Sequence, residues 1–197
     1  YLTDCIEILY NQGKKVMAFT ADNPDEFYGI NTKLELIEAK KIMQKRINEN
    51  HLHNGVIIEN PEIAYIDPEV EIGQDTIISG PVKLLGKTII GKECIIEGSS
   101  RVDESIIADN VKIDNSVIEN SKVGKGTDIG PYSHLRPNAN LGKNVHIGNF
   151  VEVKNAKLGN GTKAGHLAYI GDADLGEDIN IGCGAIFVNY DGKFKNR

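Results

Sequence analysis

The chain has 197 residues, enough for one domain and part of another, and its 22 Lys and Arg against 28 Asp and Glu give a net charge of −6. No basic block is present, which argues against a nucleic-acid-binding protein. No apolar run reaches transmembrane length, no signal peptide is evident and the cysteines form no CxxC pair, so we expect a cytoplasmic protein without membrane span, zinc site or disulfide framework.

Residues 1–30 lack the regular pattern found later and predict the end of an α/β domain. Thr3 and Asp4 predict the start of a helix that ends at Gly13. The apolar run over residues 15–20 then predicts a buried strand.

Residues 31–50 predict a connecting helical arm. Asn31 and Thr32 form the expected cap, and the helix is predicted to run to about Asn48. Its apolar stripe is narrow and its other faces are charged, which favours a linker over a core helix.

From residue 51 to residue 197 we predict a parallel β-helix, because aliphatic residues recur every six positions. An ordinary β-sandwich with chance periodicity is the disfavoured alternative. About three hexapeptides per coil give six to seven coils between Ile72 and Tyr190. The two clearest series are Ile72, Ile78, Leu84, Ile90, Ile96, Val102 and Val111, Val117, Val123, Ile129, Leu135, Leu141, Ile147, Val153.

Two cations are spaced by one full coil. Arg136 and Lys154 are 18 residues apart, so we expect them to stack on one face. Two cations at that distance repel unless they share an anion, which favours a phosphate or carboxylate ligand. The alternative is a pair of solvated surface cations bridged in part by Glu152.

His166 lies in a Gly-rich segment and is a candidate general base, since imidazole titrates near neutral pH. A structural histidine is the alternative. His134 and His146 do not form a compact metal-ligand set with it. Tyr190, in the sequence Asn-Tyr-Asp-Gly, is either a turn residue or a ligand contact.

Four blocks of sequence give a specific resemblance: residues 135–137 (Leu-Arg-Pro), 148–154 (Gly-Asn-Phe-Val-Glu-Val-Lys), 163–172 (Lys-Ala-Gly-His-Leu-Ala-Tyr-Ile-Gly-Asp) and 189–192 (Asn-Tyr-Asp-Gly). With these blocks the chain resembles the bacterial bifunctional N-acetylglucosamine-1-phosphate uridyltransferase / glucosamine-1-phosphate N-acetyltransferase family along essentially its whole length.

The resemblance implies a uridyltransferase domain, a helical arm and a left-handed β-helix that forms a homotrimer. It implies acetyl transfer from acetyl-CoA to the amine of glucosamine-1-phosphate, followed by coupling of the product to UTP with Mg²⁺ to give UDP-N-acetylglucosamine for the cell wall. The UTP-binding loop and the last coils of the family are absent from this sequence, so we expect part of a longer protein, truncated at the C-terminal end of the β-helix.

The resemblance also assigns roles to positions of this sequence. His166 matches the catalytic base, and Glu152, beside it, is the candidate that orients or charges the imidazole. The positions matching sugar-phosphate contacts are Arg136, Lys154, Tyr169, Asn180 and Lys193, with Lys195 as a rival for the last. Cys183, Asn189 and Tyr190 match the acetyl-CoA side, and Asn31 matches a magnesium ligand of the uridyltransferase site.

Two other functions stay open at this point. One is a hexapeptide-repeat O-acetyltransferase with another acceptor, such as serine or a neutral sugar, which would not need the paired cations. The other is a non-catalytic β-helix that acts as a trimerisation module.

Overall fold

The computed structural model describes residue 1 and residues 3–194. The chain divides into two compact units, Tyr1–Ile42 and Met43–Arg197. No helix in the described part of the chain is long and apolar enough to cross a membrane.

The first unit contains α1 (Asp4–Asn11), a short 3₁₀ turn at Pro24–Phe27 and the beginning of α2 (Lys33–His53). The helix predicted after Thr3 is present, but the Thr3 side chain does not cap it because Thr3 itself has helical backbone angles. The strand predicted over residues 15–20 is wrong: the segment is exposed and outside any helix or strand. An apolar run forms a strand only where another backbone accepts its hydrogen bonds.

The cap predicted at the start of α2 is confirmed as a reciprocal capping box. The Thr32 hydroxyl accepts from the backbone N–H of Glu35 at 3.2 Å, and the Glu35 carboxylate accepts from the N–H groups of Asn31 and Thr32 at 2.7 Å. These bonds lower the pKa of Glu35, the bond from Asn31 most of all. The helix continues past Asn48, where it was expected to end, to His53.

The last turns of α2 belong to the second unit and contact its first coil. Asn48 donates from Nδ2 to the carbonyl oxygen of Pro61 at 2.7 Å, and Gln44 donates from Nε2 to that of Ile66 at 3.1 Å. Asn48 is 1% exposed. Its amide therefore satisfies backbone groups at the open end of the coil stack, as a capping element of a repeat protein must.

The second unit is a parallel β-solenoid of seven coils and the start of an eighth. Three flat faces recur in each coil, and β1, β2 and β3 are the first strands of faces 1, 2 and 3. Faces 1 and 2 belong to one 13-stranded sheet, because two long strands run across both, and face 3 is a 7-stranded sheet. In chain order the strands are β1 (Ile57–Ile58), β2 (Tyr65–Ile66), β3 (Glu71–Ile72), β4 (Ile77–Ser79), β5 (Lys83–Leu85), β6 (Ile89–Ile90), β7 (Ile95–Glu97), β8 (Arg101–Asp103), β9 (Ile106–Ile107), β10 (Lys112–Asp114), β11 (Val117–Glu119), β12 (Lys122–Val123), β13 (Asp128–Ile129), β14 (His134–Leu135), β15 (Asn140–Leu141), β16 (His146–Lys154), β17 (Lys157–Leu158), β18 (Lys163–Gly171), β19 (Asp174–Leu175) and β20 (Asn180–Ile181).

The core is a column of buried aliphatic side chains, as the six-residue period predicts. The predicted register is wrong over one stretch. Ile113 and Ile118 occupy the aliphatic column and are both fully buried, whereas Val117 is only partly buried and lies on the outer side of β11. The column there runs through Val102, Ile107, Ile113, Ile118 and Val123, so the steps 102–107, 113–118 and 118–123 are five residues long, and six-residue steps resume after Val123.

The corners between faces carry the backbone geometry that closes each coil. At the corner between faces 1 and 2, Tyr132, Phe150 and Leu167 have φ values of 61°, 60° and 49°, a region that bulky residues rarely adopt. The three side chains are more than half exposed, and the rings of Tyr132 and Phe150 stack with centroids 5.8 Å apart. We call Tyr132, Phe150 and Leu167 the corner ridge.

Candidate functional site

Two long strands carry the centre of the candidate site. β16 and β18 each run without interruption from face 1 across the corner ridge to face 2, and they pair in parallel. The register places His166 beside Asn149 on one side of the corner and Tyr169 beside Glu152 on the other. His166 and Tyr169 are therefore held on adjacent faces by one continuous strand.

The predicted stacking of the two cations is confirmed. Leu135 of β14 pairs with Val153 of β16, so the residues that follow them, Arg136 and Lys154, lie on neighbouring coils of the same face. The backbone agrees, because the Arg136 N–H donates to the Val153 carbonyl at 2.8 Å.

Glu152 lies against this pair. Arg136 donates from Nη1 to Oε1 of Glu152 at 2.8 Å, and this bond raises the pKa of the guanidinium. The two side chains are 40% and 38% exposed, so water screens the pair and most donors of the guanidinium stay accessible. Lys154 forms no ion pair with any described residue.

The suggestion that Glu152 orients His166 has no support from the hydrogen bonds. The carboxylate of Glu152 contacts Arg136, whereas the imidazole of His166 forms no hydrogen bond or ion pair with any described residue, and His166 is exposed. A role for Glu152 on the imidazole stays a prediction. Its observed contact is with Arg136, one of the two cations that the solvated-surface alternative expected it to bridge.

Asn180 and Cys183 lie on face 1 of the last coil. Lys163 pairs with Asn180, Ala164 pairs with Ile181, and Tyr169 forms a bridge with Ile186. The same offset between these pairs places Cys183 directly beside His166. Cys183 is free and exposed.

A hydrogen-bonded group joins face 2 to the far end of the chain. Asn189 donates from Nδ2 to the hydroxyl of Tyr169 at 3.3 Å and also to Oδ2 of Asp172. The opposite oxygen of Asp172 accepts from Nδ2 of Asn155. Neither Asn155 nor Asp172 was among the predicted site residues. The repeated 17-residue spacing of Asn155, Asp172 and Asn189 was the available signal.

The remaining predicted residues are not brought into this group. The Tyr190 hydroxyl donates to its own turn, at the carbonyl of Gly192, which is the turn role that the sequence allowed. Lys193 is exposed, with its N–H bonded to Asp191, and Lys195 lies outside the described residues.

Asn31 belongs to the first unit. Its backbone N–H caps α2, and the described residues contain no group of three or more His, Cys, Asp or Glu side chains that could hold a metal ion. One asparagine does not supply the oxygen ligands that Mg²⁺ takes in proteins. The donor set present in this chain therefore does not fit a complete magnesium site.

Comparison with known proteins adds the following. Residues 120–155 match the family model described as bacterial transferase hexapeptide (six repeats). The proteins named "Bifunctional protein GlmU" from Enterococcus faecalis and Clostridioides difficile are 54% and 52% identical to this chain, over 100% and 99% of its length. The chain spans 43% and 42% of those relatives.

Solved structures with a related fold include the GDP-perosamine N-acetyl transferase of Caulobacter crescentus, at 17% identity and a TM-score of 0.49 over 75% of this chain and 61% of that one. The acetyltransferase domain of PglB from Neisseria gonorrhoeae matches at 18% identity and a TM-score of 0.47, over 57% of this chain and 58% of that one. The solenoid described above is consistent with the left-handed β-helix of hexapeptide proteins.

Proposed function

From the similarity of the whole chain to part of the bifunctional GlmU proteins, we propose that it carries the acetyltransferase site of such an enzyme. The proposed reaction moves the acetyl group of acetyl-CoA to the amine of glucosamine-1-phosphate. Its three free cysteines suit the reducing cytoplasm, where we place the protein.

The observation that carries this proposal is the stacked pair Arg136 and Lys154 beside Tyr169. A sugar phosphate supplies the anion that two neighbouring cations require, and Arg136 uses only one donor on Glu152. A neutral acceptor, such as serine or an unphosphorylated sugar, carries no anionic group for the two cations to bind. The cation pair therefore favours glucosamine-1-phosphate over the O-acetyltransferase alternative.

In the proposed reaction, His166 is the general base. The amine nitrogen of the sugar attacks the thioester carbon, the N–C bond forms and the C–S bond breaks. The imidazole of His166 accepts the proton that the amine loses, and the CoA thiolate leaves and is protonated. No described residue occupies the His166 ring nitrogens, so one of them is free to accept a proton.

A second copy of the chain is part of the proposal. His166 lies on a flat, exposed face next to the corner ridge, whose three apolar side chains are exposed. A flat face does not exclude water, and apolar side chains held in an unfavourable backbone geometry gain stability when a partner covers them. We propose a homotrimer in which a neighbour covers this face. Light scattering or sedimentation at low concentration should give three times the chain mass.

Uridyl transfer, which we also propose for the full-length protein, involves this chain only at its edge. Asn31 is proposed as one magnesium ligand, and the other ligands and the UTP site would come from a part of the protein outside this sequence.

The deciding experiment measures thiol release from acetyl-CoA with the enzyme at its full natural length and glucosamine-1-phosphate. His166→Ala should lower kcat by about 10²–10⁴, the usual contribution of general-base catalysis. His146→Ala is the matched control, because His146 lies on face 1, one coil earlier, where it pairs with Asp128. Activity of His166→Ala within a few-fold of wild type would reject the base assignment, and an inactive wild type would reject the acceptor.

A further inference from the structure

We infer that Asp172 is a positioning residue: its carboxylate fixes the amide of Asn189 against the hydroxyl of Tyr169 and so couples the two substrate sides of the site. The inference rests on the proposed function and on the family resemblance, which matches Tyr169 to a sugar contact and Asn189 to the acetyl-CoA side. Neither sequence pattern nor resemblance gave Asp172 a role.

The corner that contains Asp172 does not need a carboxylate. Asn120, Asn138, Asn155 and Asp172 occupy the same corner of successive coils, with φ values between 43° and 67°. The backbone N–H of Asp172 donates to the Lys154 carbonyl at 3.0 Å, and that of Asn138 donates to the Asn120 carbonyl at 2.9 Å. Asparagine fits this left-handed backbone as well as aspartate does. The acid at position 172 therefore calls for a reason beyond the turn.

Burial makes the choice of an acid costly. Asp172 is only 9% exposed, and a buried carboxylate is tolerated only where hydrogen bonds compensate for lost water. Two amides provide such bonds: Asn155 donates to Oδ1 and Asn189 donates to Oδ2. Amide hydrogen bonds to an ionised acceptor are stronger than those between neutral groups.

An acid controls amide orientation in a way that an amide cannot. A carboxylate only accepts hydrogen bonds, so Asn189 must turn its NH₂ group toward Asp172. The same NH₂ group reaches the Tyr169 oxygen at 3.3 Å. The hydroxyl of Tyr169 can then donate its proton to a different acceptor. Oδ1 of Asn189 makes no hydrogen bond with any described residue. One donor and one acceptor are thus set for ligands.

The experiment compares Asp172→Asn with wild type in the full-length enzyme. An amide at 172 offers one acceptor where the acid offers two, so the orientation of Asn189 is no longer fixed. We expect the KM values for acetyl-CoA and glucosamine-1-phosphate each to rise about tenfold, in line with the loss of one charged hydrogen bond. The pH profile of kcat should be unchanged, because His166 is not contacted.

Two controls separate positioning from a structural role. Asp178→Asn alters another left-handed corner acid, at φ 54°, which is exposed, and should leave both KM values unchanged. In the Asn189→Ala background, Asp172→Asn should have no further effect on KM, because its partner is already absent. Additive effects in that double variant, or wild-type KM values in Asp172→Asn at an unchanged Tm, would overturn the inference.

Direct titration of acetyl-CoA by calorimetry keeps the two proposals distinguishable. If wild type binds acetyl-CoA but does not acetylate glucosamine-1-phosphate, the proposed acceptor fails, and a weaker acetyl-CoA affinity in Asp172→Asn still supports the positioning role. Equal acetyl-CoA affinity in the two proteins overturns the positioning role. If wild type neither binds nor turns over, both proposals fail.

Discussion

Face 2 carries two groups of charged residues, and they differ in how completely they are paired. The lower charge network consists of Arg101, Asp103, Glu119 and His134. Arg101 donates to Asp103 at 2.6 Å and to Glu119 at 3.0 Å, and the other oxygen of Glu119 lies 3.1 Å from Nε2 of His134. Both basic side chains of this network have an acidic partner.

The upper charge cluster, Arg136, Glu152 and Lys154, begins on the coil that carries His134 and continues on the next coil of the same face. It contains two cations and one carboxylate, and Lys154 has no ion-pair partner among the described residues. The strands that carry the two groups of charged residues pair in parallel in both cases. Strand pairing alone does not distinguish a group of fully paired charges from a group that retains a cation without an ion-pair partner. The charge balance of each group does.

The largest expected effect concerns the scaffold that both groups share. Ile118→Ala should lower the free energy of unfolding by about 2–5 kcal/mol, because Ile118 is fully buried and its loss leaves a cavity. Val117→Ala, one residue away on the outer side of β11 below the His134 position, should cost less than about 1 kcal/mol. Urea unfolding of the two variants is the measurement. Equal losses would mean that the assigned register of this coil is wrong.

Next in size is the effect of removing one cation from each group. Arg136→Ala should raise the KM for glucosamine-1-phosphate by about 10- to 100-fold, the usual range for a charged hydrogen bond, and the KM for acetyl-CoA far less. Arg101→Ala should leave both KM values near wild type, because Arg101 is neutralised within its own network. A similar rise in both KM values for Arg136→Ala, or a rise for Arg101→Ala, would remove the distinction between the groups.

The smallest effect is the pH dependence of the lower charge network. The hydrogen bond to His134, then the charges of His134 and Arg101, hold the pKa of Glu119 below its ordinary value of 4.5. The stabilisation is complete above that ordinary value and is lost as pH falls through the lower pKa of the folded state. Wild type should therefore lose more stability than Glu119→Gln between pH 5 and pH 3, by less than about 1 kcal/mol. Parallel acid titrations of unfolding would show identical curves if the network contributes nothing.

The sequence predicted the solenoid because one aliphatic column is enough to define it. It could not choose between Val117 and Ile118, two adjacent aliphatic residues, since the choice depends on where a corner shortens by one residue. The strand expected over residues 15–20 failed for a different reason: its strand character needed a partner backbone that residues 3–194 do not provide.

Within the site, the spacing of residues along the chain predicted which residues share a face, but it did not predict which side chains contact each other. The stacking of Arg136 on Lys154 follows from a separation of one coil and is confirmed by the pairing of Leu135 with Val153. The contact of Asp172 with Asn189 depends on side-chain directions that no period encodes, and that of Glu152 with Arg136 was anticipated only as part of the solvated-surface alternative.

The coils of this protein are not equal in length. Face 1 advances by 20 residues from Ile57 to Ile77 but by only 16 from Lys112 to Asp128, and the strands remain paired across both steps. A corner can therefore gain or lose residues while the faces above and below it keep their alignment. Insertions at a corner would offer evolution a way to reshape the surroundings of the cation pair while leaving the strand register around His166 unchanged, so that two parts of one solenoid can vary independently.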